Sequence, residues 1–455
     1  MIASIFLDFS LPNAATWFYF SFLLAHALFY RFDRLFSLRN WDLLTLYLIV
    51  PGFLCLQEAH ALRNLIGAEK PVGDWERLAR RADRLLLAGY IWLISGSAYY
   101  FVRCLFDLGL ERRPAMSPNL NAAGLIWMAA ALMICLTARA VRQVPDAPAQ
   151  VGRGPIALTK VQDGAIAVVG IQNGTADWDE ADTKFWVERG VAILLHLAVV
   201  AGLVMVGVTH FRDATTGTAM ACLYLMLPYT ATYVSQVHHV WPAVFILWAV
   251  YSYRRPLIAG SLLGVAAGSA FFPVLLFPLW FGFYRGRGTG RFSLAFFLTC
   301  GLSLSATATL LLLSGELHKY LTVALSMSDW QAWKAPKTES IWTGSHWAYR
   351  LPVFIAYMAF VVLTVFWPKP RNLGQVIAQT AGVVVGVQLW YADQGGVYAL
   401  WYAPLLLLMV FRPDLTDVRP PIIERERDWV IRLARRVVAW GRRLGPKPRP
   451  TAAPV

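Results

Sequence analysis

Residues 233–291 read YVSQVHHVWPAVFILWAVYSYRRPLIAGSLLGVAAGSAFFPVLLFPLWFGFYRGRGTGR. A polar turn leads into an apolar run that stops at Arg254 and Arg255. A second run, rich in Gly and Ala, follows, and a third ends at Arg285, Arg287 and Arg291. Charge is confined to the ends of the runs, which is the pattern of a chain folding back and forth through a bilayer. Ala259, Gly260, Gly264, Ala267 and Gly268 are small enough to let helices pack closely. Ser269 and Pro273 fall where a hairpin between the second and third runs would turn.

The rest of the chain repeats this design. Of 455 residues, 57% are hydrophobic and 15% charged, against about 25% charged in an ordinary soluble domain. Apolar runs lie at about 14–30, 42–57, 85–106, 122–138, 190–209, 217–235, 240–253, 256–270, 272–284, 292–314, 349–367, 375–391 and 397–411. Runs of about 17–25 residues suffice to cross a hydrocarbon layer of about 30 Å. The sequence therefore predicts an all-α polytopic membrane protein with about 13 transmembrane helices (range 10–13). Trp17, Trp41, Trp92, Trp241, Trp342, Trp347, Trp367 and Trp401 sit near the ends of runs, where interfacial anchors belong.

The net charge of +14 is spread between the runs and forms no continuous basic face, so nucleic acid is not the expected partner. The bilayer is. Basic residues around Arg31–Arg39, Arg254–Arg255, Arg285–Arg291 and Lys369–Arg371 mark the cytoplasmic side. This places the N-terminus outside and the C-terminus in the cytoplasm of a cell inner (plasma) membrane. Residues 1–411 form the transmembrane domain, with extracytoplasmic loops at 58–84, 139–189 and 315–348, the last two acting as caps. The first loop contains DWERLARRADRLL, read as an amphipathic interfacial helix; alternatively the span 42–57, broken at Pro51–Gly52, is re-entrant. The second contains a short β-like run, AIAVVGI. The tail 412–455 carries 11 Lys/Arg against 5 Asp/Glu. In it Trp429, Leu433, Val437, Trp440 and Leu444 form one helical stripe, which fits a basic amphipathic helix on anionic lipids or on a protein partner.

The five cysteines, Cys55, Cys104, Cys135, Cys222 and Cys300, lie in apolar segments without CxxC spacing and read as small buried hydrophobes. There is no P-loop, HExxH, GxSxG or usable GxGxxG, and no row of Arg within a span. Nucleotide-driven transport, common hydrolase chemistry and voltage sensing lose their usual signatures.

The stretch from Tyr233 to Arg291 resembles the C-type superfamily of integral membrane glycosyltransferases. It is most similar to the bacterial polyprenyl-phosphate-mannose-dependent mannosyltransferases. In these a Gly-Gln-x-Asn turn precedes a span, a basic pair and an AGLLLGLAAxxKxxP-like hairpin. Here SQVH (Ser235 to His238) stands at the turn and AGSLLGVAAGSAFFP (Ala259 to Pro273) at the hairpin. Ala270 replaces the hairpin Lys, and His238 replaces the turn Asn. The resemblance implies transfer of a sugar from a polyprenyl-phosphate carrier, a lipid-linked donor, on the non-cytoplasmic face.

That chemistry needs a carboxylate to take the acceptor proton, donors for the departing phosphate and a surface for the sugar. The resemblance implies an acid in an early external loop, and Asp8 and Glu58 are the candidates by topology. Asp8 also reads as a helix cap or terminal acid, and Glu58 as an interfacial partner of Arg63. Gln236, His238, His239, Lys334 and Asp393 are the substrate-binding candidates; Lys337 adds a second cation beside Trp330 and Trp333. His238 and His239 equally suit a structural turn, Asp393 a turn before Gly395–Gly396, and Lys334 a surface loop. No cofactor is expected. The acids Asp177, Asp179, Glu180 and Asp182 form a solvated cluster or a divalent-cation site. Two other functions fit the same sequence, a non-catalytic protein of this fold and a secondary transporter. The second is weakened by the scarcity of charge inside spans, where His26, His196 and Arg103 stand out.

Overall fold

The small residues of the Gly-Ala run form a contact face. In the computed structural model, helix α10 (Pro256–Ser269) lies along α12 (Thr289–Leu313). A Cβ at Gly264 would overlap Thr299 Oγ1 and the Phe296 carbonyl, and one at Gly268 would sit 2.6 Å from Ser303 Cβ. Gly260 meets the Phe292 carbonyl one turn earlier, so glycines four residues apart make a groove for the neighbouring backbone. Gly301, in the same region of α12, has nothing within 4 Å of its Cβ position. Replacing Gly264 by Val should therefore cost about 1–3 kcal/mol of stability through overpacking. The same change at Gly301 should leave the melting temperature in detergent nearly unchanged.

The structure describes residues 14–68, 75–110, 117–142, 180–315, 318, 331–336, 339–369, 371–422, 429 and 432. Among them every regular element is helical. In chain order the elements before α10 are α1 (Ala14–Phe29), α2 (Leu38–Leu46), α3 (Val50–Ala68), α4 (Trp75–Asp107), α5 (Ala122–Arg142), α6 (Glu180–Val206), α7 (Ala214–Met226), α8 (Pro228–Thr232) and α9 (Val237–Tyr251). A return limb, Phe272–Leu276 and α11 (Phe277–Phe283), separates α10 from α12; α13 (Arg350–Leu363), α14 (Leu373–Trp390) and α15 (Ala403–Phe411) complete the set. Among the described residues six helices are long and apolar enough to cross a membrane: Leu38–Ile66, Trp75–Asp107, Ala122–Arg142, Phe185–Phe211, Thr289–Leu313 and Leu373–Trp390. Five more are apolar but shorter. On α12, Phe297, Leu298, Leu302, Leu304, Leu312 and Leu313 are exposed, a surface that belongs in lipid rather than water. The chain is a membrane protein.

Several boundaries differ from the sequence reading. Helix continues through most of 58–84, because α3 runs to Ala68 and α4 starts at Trp75; residues 75–86 of the basic run open that 33-residue helix instead of lying apart from it. Likewise α5 reaches Arg142 and α6 starts at Glu180, which shortens the loop read at 139–189. The break in the second run falls at 47–49, just ahead of Pro51–Gly52. Pro51 sits in the first turn of α3, where its missing N–H costs nothing. Among the cysteines, Cys104 and Cys222 are buried as expected, but Cys135 is exposed. The β-like run and Asp8 lie outside the described residues, as does most of the tail beyond 422.

Hydrogen bonds gather the connections into two ends. At one, Arg31 Nη2 donates to Ser117 Oγ (2.6 Å), Asn119 N to the Leu28 carbonyl (2.7 Å), and Tyr284 Oη to the Tyr253 carbonyl (2.7 Å). Arg371 belongs here too, donating to the carbonyls of Leu279, Thr364 and Trp367; burial pulls its pKa down to about 10. Beside it Asn372 and Gln375 form a capping box that starts α14. This end also contains a buried ion network. Arg103 Nε and Nη2 donate to the two carboxylate oxygens of Asp42 at 2.7 and 2.9 Å. Asp107 then bridges Arg103 (3.3 Å) and Arg412 (2.9 Å). The opposite end holds the tips of α3, α4, α8 and α14 and the start of α9.

Candidate functional site

The site grows from a proline. Pro242 lies inside α9 and has no N–H to offer the carbonyl of His238, four residues back. The indole Nε1 of Trp401 donates to that carbonyl instead, at 2.9 Å. This one bond ties the turn before α9 to the chain between α14 and α15. The turn is anchored from outside as well. Arg139 Nε donates to the Ala231 carbonyl (2.8 Å) and the buried Arg189 Nη1 to the Ser235 carbonyl (3.4 Å).

Trp401 also stacks. Its ring lies 4.3 Å from Phe272, interplanar angle 23°, and 4.1 Å from Tyr398 at 11°. Tyr398 packs 5.0 Å from His239, which is stacked on Tyr233 at 3.9 Å and 13°. Phe272, Trp401, Tyr398, His239 and Tyr233 thus form a continuous buried column across three separate segments. Trp241 Nε1 donates to Ser269 Oγ (2.8 Å), fixing the hairpin tip against the same turn. Close by, Phe271 and Tyr391 face each other at 4.6 Å.

The polar groups sit on this column. Asp393, 2% exposed, accepts from Tyr398 Oη at 2.8 Å. The loop that presents it is tightly specified. Gln394 adopts φ +48, a conformation uncommon outside glycine and often found at functional positions. Gly396 adopts φ +88 against Leu93 of α4, and its N–H donates to the fully buried Gln388 Oε1 at 3.1 Å. On the other flank, His196 Nδ1 meets Tyr224 Oη at 2.8 Å. His239 is buried while His238 and Gln236 are partly exposed, because neighbours on a helix point in different directions.

A charged rim continues up α3 and α4. Arg63 holds both Asp83 (2.9 Å) and Glu339 (2.7 Å). Four arginines, Arg77, Arg80, Arg81 and Arg84, line a cavity of about 580 Å³ with Leu85 and Ala88.

The structure thus brings Gln236, His238, His239 and Asp393 together at one end. Glu58 is not among them. It is exposed on α3 and faces Arg81 at 3.8 Å, while the expected partner Arg63 is taken by Asp83 and Glu339. Lys334 is exposed; its carbonyl accepts from Arg350 Nη2 at 3.2 Å. Its neighbour Trp333 packs on Phe354 (6.4 Å), which packs on Trp390 (4.8 Å) beside the loop. Lys337, Asp177 and Asp179 lie outside the described residues, and Asp182 falls in the first turn of α6. Among the described residues no group of three or more His, Cys, Asp or Glu side chains could hold a metal ion. Sequence alone marks Trp401 only as an interfacial ring at the end of a run, and singles out none of Tyr398, Gln388 and Arg189. Tyr398 and Trp401 carry one signal, since both open the apolar run 397–411 that follows the polar break with Asp393. No family model, curated protein or solved structure matches the chain.

Proposed function

We propose that the chain is a membrane glycosyltransferase that moves a sugar from a polyprenyl-phosphate carrier to an acceptor on the non-cytoplasmic face. One observation carries the reading. The two segments of the resemblance, the turn at Ser235–His238 and the hairpin ending at Pro273, meet at one buried aromatic column beside a carboxylate. A helix lies at each of the thirteen apolar runs, and the connections alternate between two ends. This supports about thirteen crossings, and the basic residues of the loops at 31–39, 254–255, 285–291 and 369–371 support an N-terminus outside. The Asp393 end is then extracytoplasmic and the Asp42–Arg412 end cytoplasmic.

In the proposed reaction the acceptor hydroxyl attacks the anomeric carbon of the donor. The bond from that carbon to the phosphate oxygen breaks, and polyprenyl phosphate leaves with the electron pair. Asp393 takes the hydroxyl proton, a role the sequence reading gave to Asp8 or Glu58. Gln236 and His238, the accessible groups of the turn, hold the sugar. Lys334 supplies the phosphate cation that Ala270 cannot.

The direct test uses the purified chain in liposomes containing polyprenyl-phosphate mannose labelled in the sugar. Release of label from the carrier to water or an added saccharide is the expected result. An inert donor, together with solute uptake by the same liposomes, would replace this reading with transport.

A further inference from the structure

We propose that the Arg77–Ala88 face of α4 is a binding site for the headgroup of an anionic phospholipid from the surrounding bilayer. The inference is independent of sugar transfer. Arg77, Arg80, Arg81 and Arg84 are spaced by three and four residues, so they share one side of the helix. All four are exposed and line the same cavity. Like charges at this spacing weaken a helix unless anions gather beside them. Glu76 lies 3.2 Å from Arg80 and Glu58 lies 3.8 Å from Arg81.

The position along the helix says which anion fits. From Arg84 to Asp107 is 23 residues, about 35 Å at about 1.5 Å per residue, close to one hydrocarbon thickness. The arginines therefore stand where lipid phosphates stand. Leu85 and Ala88 form the cavity's apolar wall, and Leu87, Ile91 and Trp92 continue as exposed apolar surface toward the middle of the helix. A headgroup phosphate can meet the guanidiniums while an acyl chain follows that surface. A free phosphate would gain the first contact and not the second.

The test compares the full-length chain with Arg80→Gln/Arg84→Gln in micelles or nanodiscs doped with phosphatidylglycerol, phosphatidylcholine, or inorganic phosphate at equal concentration. The expected result is a rise in melting temperature with phosphatidylglycerol only. The rise should disappear at high salt, where exposed charges are screened. One arginine near an anionic surface is worth about fivefold in affinity, so the double variant should bind phosphatidylglycerol about 25-fold more weakly. Arg285→Gln, an exposed arginine at the other end, should bind as the parent does. Equal stabilisation by phosphatidylcholine or by inorganic phosphate alone overturns the proposal, as does a double variant that responds undiminished. If that double variant does not fold, Arg77→Gln/Arg84→Gln takes its place, and an undiminished response to phosphatidylglycerol in it overturns the proposal as well.

Discussion

Arg103→Ala should lower the stability of the protein by about 3–5 kcal/mol, the largest loss expected from any single side chain outside the aromatic column. The reason is what it leaves behind. Asp42 and Asp107 are 3% and 1% exposed, and Arg103 donates to both. Removing the guanidinium strands carboxylates in a site that excludes water, and Arg412 can satisfy only Asp107. The network joins α2, α4 and the end of α15 and also holds the Leu110 carbonyl (2.6 Å), so its loss loosens three elements at once. Thermal unfolding in detergent measures the effect. Pairing Asp42→Asn with Arg103→Met should recover more than half of it, because the double change removes the uncompensated charge along with its partner. The exposed pair Arg80–Glu76 provides the contrast: its disruption should cost under about 1 kcal/mol. A loss of similar size at Arg103 would mean that water reaches the network.

How much of this was legible depends on the range of the interaction. The glycine stripe was visible because Gly260, Gly264 and Gly268 repeat every four residues, and a helix–helix groove needs nothing else. The helical segments were visible because apolar runs report burial in lipid residue by residue. Arg103 was visible as an isolated cation in an apolar run, but its partners were not. Asp42 and Arg412 lie 61 and 309 positions away, and no periodicity connects them. The same holds for the column, in which Trp401 reaches the His238 carbonyl across 163 positions. Pro242 hinted that a carbonyl was free, without indicating which donor would find it. At 58–84 the sequence shows a helix but not its bounds, for a different reason. Composition marks where the hydrocarbon ends, not where the helix ends, and α4 carries its arginines two turns past its apolar section. Glu58 reads in sequence as a candidate base or as a partner of Arg63, yet the helical hairpin turns Arg63 toward Asp83 and Glu339 and leaves Glu58 facing Arg81.

Asp393→Asn should reduce sugar release from the lipid carrier by about 10²- to 10⁴-fold, the usual worth of a positioned proton acceptor. The substitution suits the question because an amide keeps the shape and can still accept from Tyr398 Oη, so the loop with Gln394 at φ +48 should remain in place. Stability should then change by less than about 1.5 kcal/mol, which separates loss of chemistry from loss of fold. Tyr398→Phe removes one hydrogen bond to the carboxylate and leaves the stack on Trp401 intact, so a much smaller drop is expected. Glu58→Gln should leave turnover nearly unchanged, since Glu58 faces Arg81 on an exposed helix and not the column. The three rates discriminate among the assignments. If Glu58→Gln abolishes turnover and Asp393→Asn does not, the base sits on α3 and the buried carboxylate only shapes the loop. If the aspartate variant loses rate and stability together, Asp393 is a structural acid whose hydrogen bond to Tyr398 holds α14 and α15 in register. Loss of rate alone leaves one economical account: Asp393, buried beside the stacked rings of Tyr398 and Trp401, takes the proton of the acceptor hydroxyl.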